Sequence, residues 1–129
     1  MGMMYFLDTY AIIEYLKGNS KYANLIEKNN FSTSIFQLME VYYITLKEQN
    51  EELADKYFDV FSIAKVEIPD ETVKKAMRVR MEFQQQKKNI SYVDAIGLQY
   101  SRDNNLIFLT GDKEFKGVDG VEWIPVSSS

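Results

Sequence analysis

The stretch Met4-Tyr5-Phe6-Leu7-Asp8-Thr9-Tyr10-Ala11-Ile12-Ile13 places a single carboxylate where one kind of pattern gives way to another. Met4 to Leu7 is a nearly continuous apolar run, as expected of a strand covered on both faces. Thr9 to Lys17 carries Ile12, Ile13 and Leu16 at helical spacing and stops at Gly18, a natural C-terminal glycine. Asp8 therefore stands at the junction of a buried strand and the helix that follows. An unpaired buried carboxylate is costly, so Asp8 requires a helix cap, a cation or water.

Working outward, Leu106 to Thr110 is a second apolar run of the same kind, and Val121 to Ile124 a third strand. Phe31 to Thr33 and Lys65 to Ile68 are shorter candidates. A second helix starts at Ser20. Ser34 followed by Gln37 reads as a capping box opening a helix through Lys47, and the next helix sets Leu53, Tyr57, Val60, Phe61 and Ala64 on one stripe. Pro69-Asp70 opens a helix with Val73, Ala76 and Met77 inward, and Ser91 with Asp94 reads as a capping box for a helix ending near Asn104-Asn105. Strands alternating with helices imply an α/β fold of three layers, α/β/α, around a mostly parallel sheet of about five strands.

With 129 residues, 46% of them hydrophobic, the chain suffices for one packed core and is too short for two ordinary domains, so residues 1–129 are expected to form a single domain. No repeat or linker stands out, and the only low-complexity tract is Ser127-Ser128-Ser129. The opening Met1-Gly2-Met3-Met4 leaves the native start residue open. Its apolar stretches are broken before bilayer length, and no secretory pattern opens the sequence, which leads to the expectation of a soluble cytoplasmic protein. The absence of cysteine excludes thiol nucleophiles and thiolate metal sites, and the absence of histidine removes the usual general base. Chemistry must run on carboxylates, hydroxyls and amines. A net charge of -4 argues against a nucleic-acid partner unless divalent cations reverse the local sign.

The carboxylates have a topological meaning. Ligands of open parallel sheets bind outside the carboxyl ends of the strands, where helix N-termini collect. Asp8 ends the first strand, Asp112 follows the Leu106 strand, and Asp94 lies in the first turn of the helix feeding that strand. Glu40 sits two turns into a helix that is apolar on almost every face. Each has a plain alternative: Asp8 as a cap, Asp94 as the acid of a capping box, Asp112 as a turn residue, Glu40 in a buried salt bridge with a lysine or arginine. Together at one edge, however, four ionised acids repel one another, at about 4 kcal/mol for a pair roughly 4 Å apart with an effective dielectric near 20. Hard oxygen ligands of this kind suit Mg²⁺ or Mn²⁺, which polarise phosphodiesters without any histidine.

In order and on these elements, "YFLDTYAIIEYL", "STSIFQLMEVYY", "SYVDAIGLQYS" and "IFLTGDKEF" resemble the four acidic motifs of PIN-domain ribonucleases, most closely the small VapC-type toxins of toxin-antitoxin pairs. The similarity covers essentially the whole chain. It implies that Asp8, Glu40, Asp94 and Asp112 form an acidic quartet, with Asp8, Asp94 and Asp112 as metal ligands and Glu40 positioning water or a second ion. Thr9 and Thr110 match small hydroxyl positions of the first and last motifs, and Glu114 falls where many relatives carry another acid. Further implications are RNA hydrolysis leaving a 5′-phosphate and a 3′-hydroxyl, a homodimer, and a small antitoxin that inserts a basic side chain into the acidic pocket. Tyr15, Tyr22, Tyr42 and Tyr43 are candidates for a partner surface or simply for the core. Lys74, Lys75, Arg78, Arg80, Lys87 and Lys88 could guide an RNA backbone or form a solvated face.

Two other phosphate chemistries fit poorly. A haloacid-dehalogenase-type phosphatase needs an acid two positions after the first, where this chain has Tyr10, and a receiver domain needs an acidic pair that Asp8 lacks. The remaining alternatives keep the fold: a housekeeping RNA-processing nuclease, or a non-catalytic binding or scaffold protein.

Overall fold

The computed structural model describes residues 3–126, so Met1-Gly2 and the Ser127-Ser128-Ser129 tract lie outside the described residues. In chain order the elements are β1 (Met4–Leu7), α1 (Thr9–Leu16), α2 (Ser20–Lys28), β2 (Asn30–Ser34), α3 (Ile35–Glu48), α4 (Glu51–Ser62), β3 (Lys65–Val66), α5 (Asp70–Gln85), α6 (Tyr92–Asp103), β4 (Ile107–Thr110), a 3₁₀ turn (Lys113–Phe115) and β5 (Val121–Trp123). The five strands run in the order β3-β2-β1-β4-β5, and every pairing is parallel.

Side-chain alternation on the central strands divides the core in two. Tyr5 and Leu7 of β1 and Leu109 of β4 face a layer built from Ala11, Ile12, Tyr22, Ile26, Leu38, Val41 and Phe61. Phe6 and Phe108 point the other way, against Ala76, Val79, Phe83, Ala95, Ile96 and Leu98 of α5 and α6. With both faces covered, neither β1 nor β4 can afford polar residues before its last position, which is why both read as unbroken apolar runs. From β1 the chain crosses to β2 on one side, and β4 pairs on the other. The ends of β1 and β4 therefore flank the switch point of the sheet, the place where such folds leave a crevice.

Several local expectations are refined. Ser34 caps α3 by accepting from Phe36 N–H at 3.1 Å, and no capping box forms, because the fully buried Gln37 bonds the Ser34 hydroxyl and donates Nε2 to Val93 O at 3.1 Å. Gln37 thus ties α3 to the first turn of α6. Val60 is exposed rather than part of the α4 stripe, and Ala54 and Phe61 take the inner positions. On α5 the buried line is Thr72, Ala76, Val79 and Phe83, with Val73 and Met77 only half-buried beside it. β3 stops at Val66, short of Ile68. The capping box at Ser91 and Asp94 forms as read.

Candidate active site

Four acids from four separate places in the chain line one open cavity of about 350 Å³: Asp8, Glu40, Asp94 and Asp112. Asp8 closes β1 and caps α1, its Oδ1 accepting from Ala11 N–H at 2.8 Å. Capping and facing the cavity are therefore compatible, since one oxygen suffices for the cap. Asp94 caps α6 reciprocally: Ser91 Oγ accepts from Asp94 N–H at 3.0 Å, and Asp94 Oδ2 accepts from Ser91 N–H at 3.1 Å. Two helix N-termini thus point their positive ends at the acids.

Asp112 stands on a loop held from three sides. Its N–H donates to Thr110 Oγ1 at 3.1 Å, its Oδ1 accepts from Glu114 N–H at 3.0 Å, and its carbonyl accepts from Trp123 Nε1 at 2.9 Å. Glu40 is half-buried and accepts from Thr9 Oγ1, so a hydroxyl rather than a lysine or arginine holds it. Both threonines singled out in the sequence touch this acid set. Glu114 contributes its backbone and does not line the cavity.

Electrostatics follow from this placement. Asp8 is almost completely buried, and desolvation pushes its carboxyl well above the usual range; Asp94 and Asp112 add repulsion, against the bonds from Thr110 and Ala11. Asp94 is pushed up to about 6, again chiefly by desolvation, with repulsion from Asp112 and Glu40 opposing the bonds from Ser91. None of the salt bridges among the described residues involves any of the four. Among the described residues, no group of three or more Asp, Glu, His or Cys side chains is arranged to hold a metal ion as the side chains stand. The chemistry of the four side chains, hard carboxylate oxygens, is of the class that hydrated divalent cations take as ligands.

The sequence reading missed Glu14 and Lys17, which line the same cavity together with Tyr10 and Ile13. Their spacing on α1 was the available signal: Tyr10, Ile13, Glu14 and Lys17 recur at three and four residues and so share the face that Asp8 caps. The basic candidates lie elsewhere. Lys74 pairs with Glu71 and Lys75 with Asp103, and Arg80 donates to Ile90 O and stacks on Tyr92, its guanidinium 4.2 Å from the ring centroid. Among the tyrosines, Tyr22 is core and Tyr43 is exposed.

Solved structures share the fold at low identity. A toxin-antitoxin complex from Klebsiella pneumoniae superposes with a TM-score of 0.74 at 21% identity over 95% of this chain and 99% of that one. VapBC2 from Rickettsia felis, solved with a DNA fragment from its promoter, gives 0.74 at 22% over 95% and 98%. VapC20 from Mycobacterium tuberculosis, described as a sarcin-ricin loop cleaving toxin, gives 0.75 at 14% over 95% and 98%. A search of curated protein sequences finds no significant match. The PIN domain model matches residues 5–121, a span that contains all six helices found among the described residues and all four carboxylates, and the chain belongs to the PIN domain family.

Proposed function

We propose that this protein is a divalent-metal-dependent endoribonuclease and the toxin of a toxin-antitoxin pair. The observation that carries the reading is the convergence of Asp8, Glu40, Asp94 and Asp112 on one cavity with no basic side chain among the described residues paired to any of them. Such a set gains most from a cation. In this reading Asp8, Asp94 and Asp112 hold Mg²⁺ or Mn²⁺. Once bound, the ion would offset the charge of a phosphodiester and make a water more acidic.

The chain's own groups have separate tasks. Helix α1 and Thr110 orient Asp8, and the capping box orients Asp94. Thr9 occupies Glu40 Oε1, which leaves Oε2 to accept a proton from water. Trp123 anchors the Asp112 loop from β5.

A partner surface adjoins this cavity. Ile35, Met39, Tyr43 and Leu46 form an exposed apolar line along α3, and Met39, Glu40, Tyr43 and Ile44 line a hollow of about 550 Å³. A line of this kind suits a second copy of the chain or an apolar antitoxin segment, and Glu40 joins it to the acids. Among the described residues no helix is long and apolar enough to cross a membrane.

Cleavage of structured and single-stranded RNAs with Mg²⁺ or Mn²⁺ tests the reading, comparing wild type, Asp8→Asn and an EDTA control. Metal-dependent cleavage that Asp8→Asn loses supports it. No cleavage by folded wild type under either metal points to a binding protein instead.

A further inference from the structure

The acidic cavity has one cation on its lining. Tyr10, Ile13, Glu14 and Lys17 descend α1 from Asp8, and Lys17 closes that face at the helix C-terminus. Its side chain is 62% exposed, and its Nζ lies 3.8 Å from Glu14 Oε2, whose own side chain is only 14% exposed. Glu14 is also bonded by Asn19 Nδ2 at 3.2 Å, and Asn19 N–H donates to Glu14 O at 3.0 Å across the turn. These contacts tie the Glu14 carboxylate to Asn19 and Lys17. The Lys17 ammonium is thereby held at the rim of a cavity that is otherwise strongly negative.

We infer that Lys17 is the phosphate-contacting residue of the substrate path, receiving a non-bridging oxygen of the RNA backbone beside the acidic quartet. This rests on the ribonuclease reading. An RNA strand approaching the acids meets repulsion except where an ion or a basic side chain neutralises it, and among the described residues Lys17 is the one lysine or arginine lining the cavity. Exchanging a 3.8 Å contact for a phosphate oxygen costs little, because an ion pair this exposed is weak. Of the basic residues of α5, Lys74 and Lys75 are paired with Glu71 and Asp103, and Arg80 is taken up by Ile90 O and the Tyr92 ring.

The test measures anisotropy of fluorescein-labelled poly(U) with Mn²⁺, together with the KM and kcat of RNA cleavage, for wild type, Lys17→Met, Lys17→Arg and Lys74→Ala. Lys17→Met keeps the aliphatic stem and should weaken RNA binding about three- to ten-fold, raise KM more than it lowers kcat, and flatten the salt dependence by about 0.7 in log-log slope, irrespective of RNA sequence. Lys17→Arg should restore affinity, Lys74→Ala should lose little, and Mn²⁺ affinity without RNA should hold or tighten in Lys17→Met. Wild-type affinity and slope in Lys17→Met, or an equal loss in Lys74→Ala, overturns the role of Lys17 while leaving the nuclease reading intact. If wild type neither binds nor cleaves RNA, the nuclease reading falls and this inference with it.

Discussion

Asp8 combines three demands on one side chain: it ends a fully apolar strand, caps a helix and faces two other acids. Its burial makes the charged form costly in the metal-free protein. Asn caps helices as well as Asp and carries no charge. Asp8→Asn should therefore raise the stability of the metal-free protein at neutral pH by on the order of 1 kcal/mol, read from urea melts, while lowering cleavage roughly 100-fold or more. A destabilised Asp8→Asn protein would mean that the carboxylate is needed for folding rather than held against it. Glu40 is the contrasting case. A mid-helix acid among Leu38, Val41 and Ile44 looks like half of a salt bridge, yet its partner is the Thr9 hydroxyl, which leaves its charge unneutralised.

At the level of elements, the loop after β4 is confined by its neighbours. A Cβ on Gly111 would lie 2.2 Å from Tyr10 Cε1 and 2.4 Å from Ile124 O. The Ile124 carbonyl is backbone of the segment after β5, and the Tyr10 ring is backed by the fully buried Tyr22 at 6.2 Å between centroids, so neither yields easily. Gly111→Ala should cost about 2–3 kcal/mol and displace Asp112, so Mn²⁺ titration should show weaker binding even where the protein remains folded. Wild-type Mn²⁺ affinity in that variant would remove Asp112 from the ligand set. A second constraint joins α3 to α6. A Cβ on Gly97 would come within 2.8 Å of Gln37 Nε2 and of Phe108 Cε1, so Gly97→Ala should push apart the layer that carries Asp94. A thermal melt should show a loss of about 1–3 kcal/mol; a neutral result would mean that Gln37 and Phe108 can both yield.

For the molecule as a whole, the raised acids make stability depend on pH, and the proposed metal would add a second dependence. Asp94 rises from 3.8 to about 6, roughly two units, and Asp8 also rises, so the folded protein binds protons more tightly than the unfolded chain. Their contribution is complete below the unfolded value near 4 and is lost as pH climbs through the folded value. For Asp94 alone two units correspond to at most about 3 kcal/mol, reduced here because the side chain is half-buried and solvent screens it. The metal-free protein should accordingly melt at a higher temperature at pH 5 than at pH 7.5. Mn²⁺ should raise Tm more at pH 7.5, where the acids are ionised, than at pH 5, where protons compete. An equal Mn²⁺ shift at both pH values would mean that the ion binds away from Asp94 and Asp8.

The alternation of apolar runs and amphipathic helices determined the layered parallel fold, because strands buried on both faces leave a signature that few other arrangements share. That Asp8, Asp94 and Asp112 come to one cavity was legible for the same reason, since strand ends and helix starts of a parallel sheet meet at one edge. Local pattern could not decide pairings between distant segments. Whether Glu40 met a cation or the Thr9 hydroxyl, whether Gln37 closed a capping box or crossed to Val93, and whether Trp123 reached the Asp112 carbonyl depended on side chains 31, 56 and 11 residues apart. Lys17 and Glu14 were hidden differently, because a charged residue near a helix end looks like solvated surface until the packing of α1 against β4 and α3 shows which face borders the acids. Spacing along a chain establishes which residues share a face; only tertiary packing determines what that face confronts.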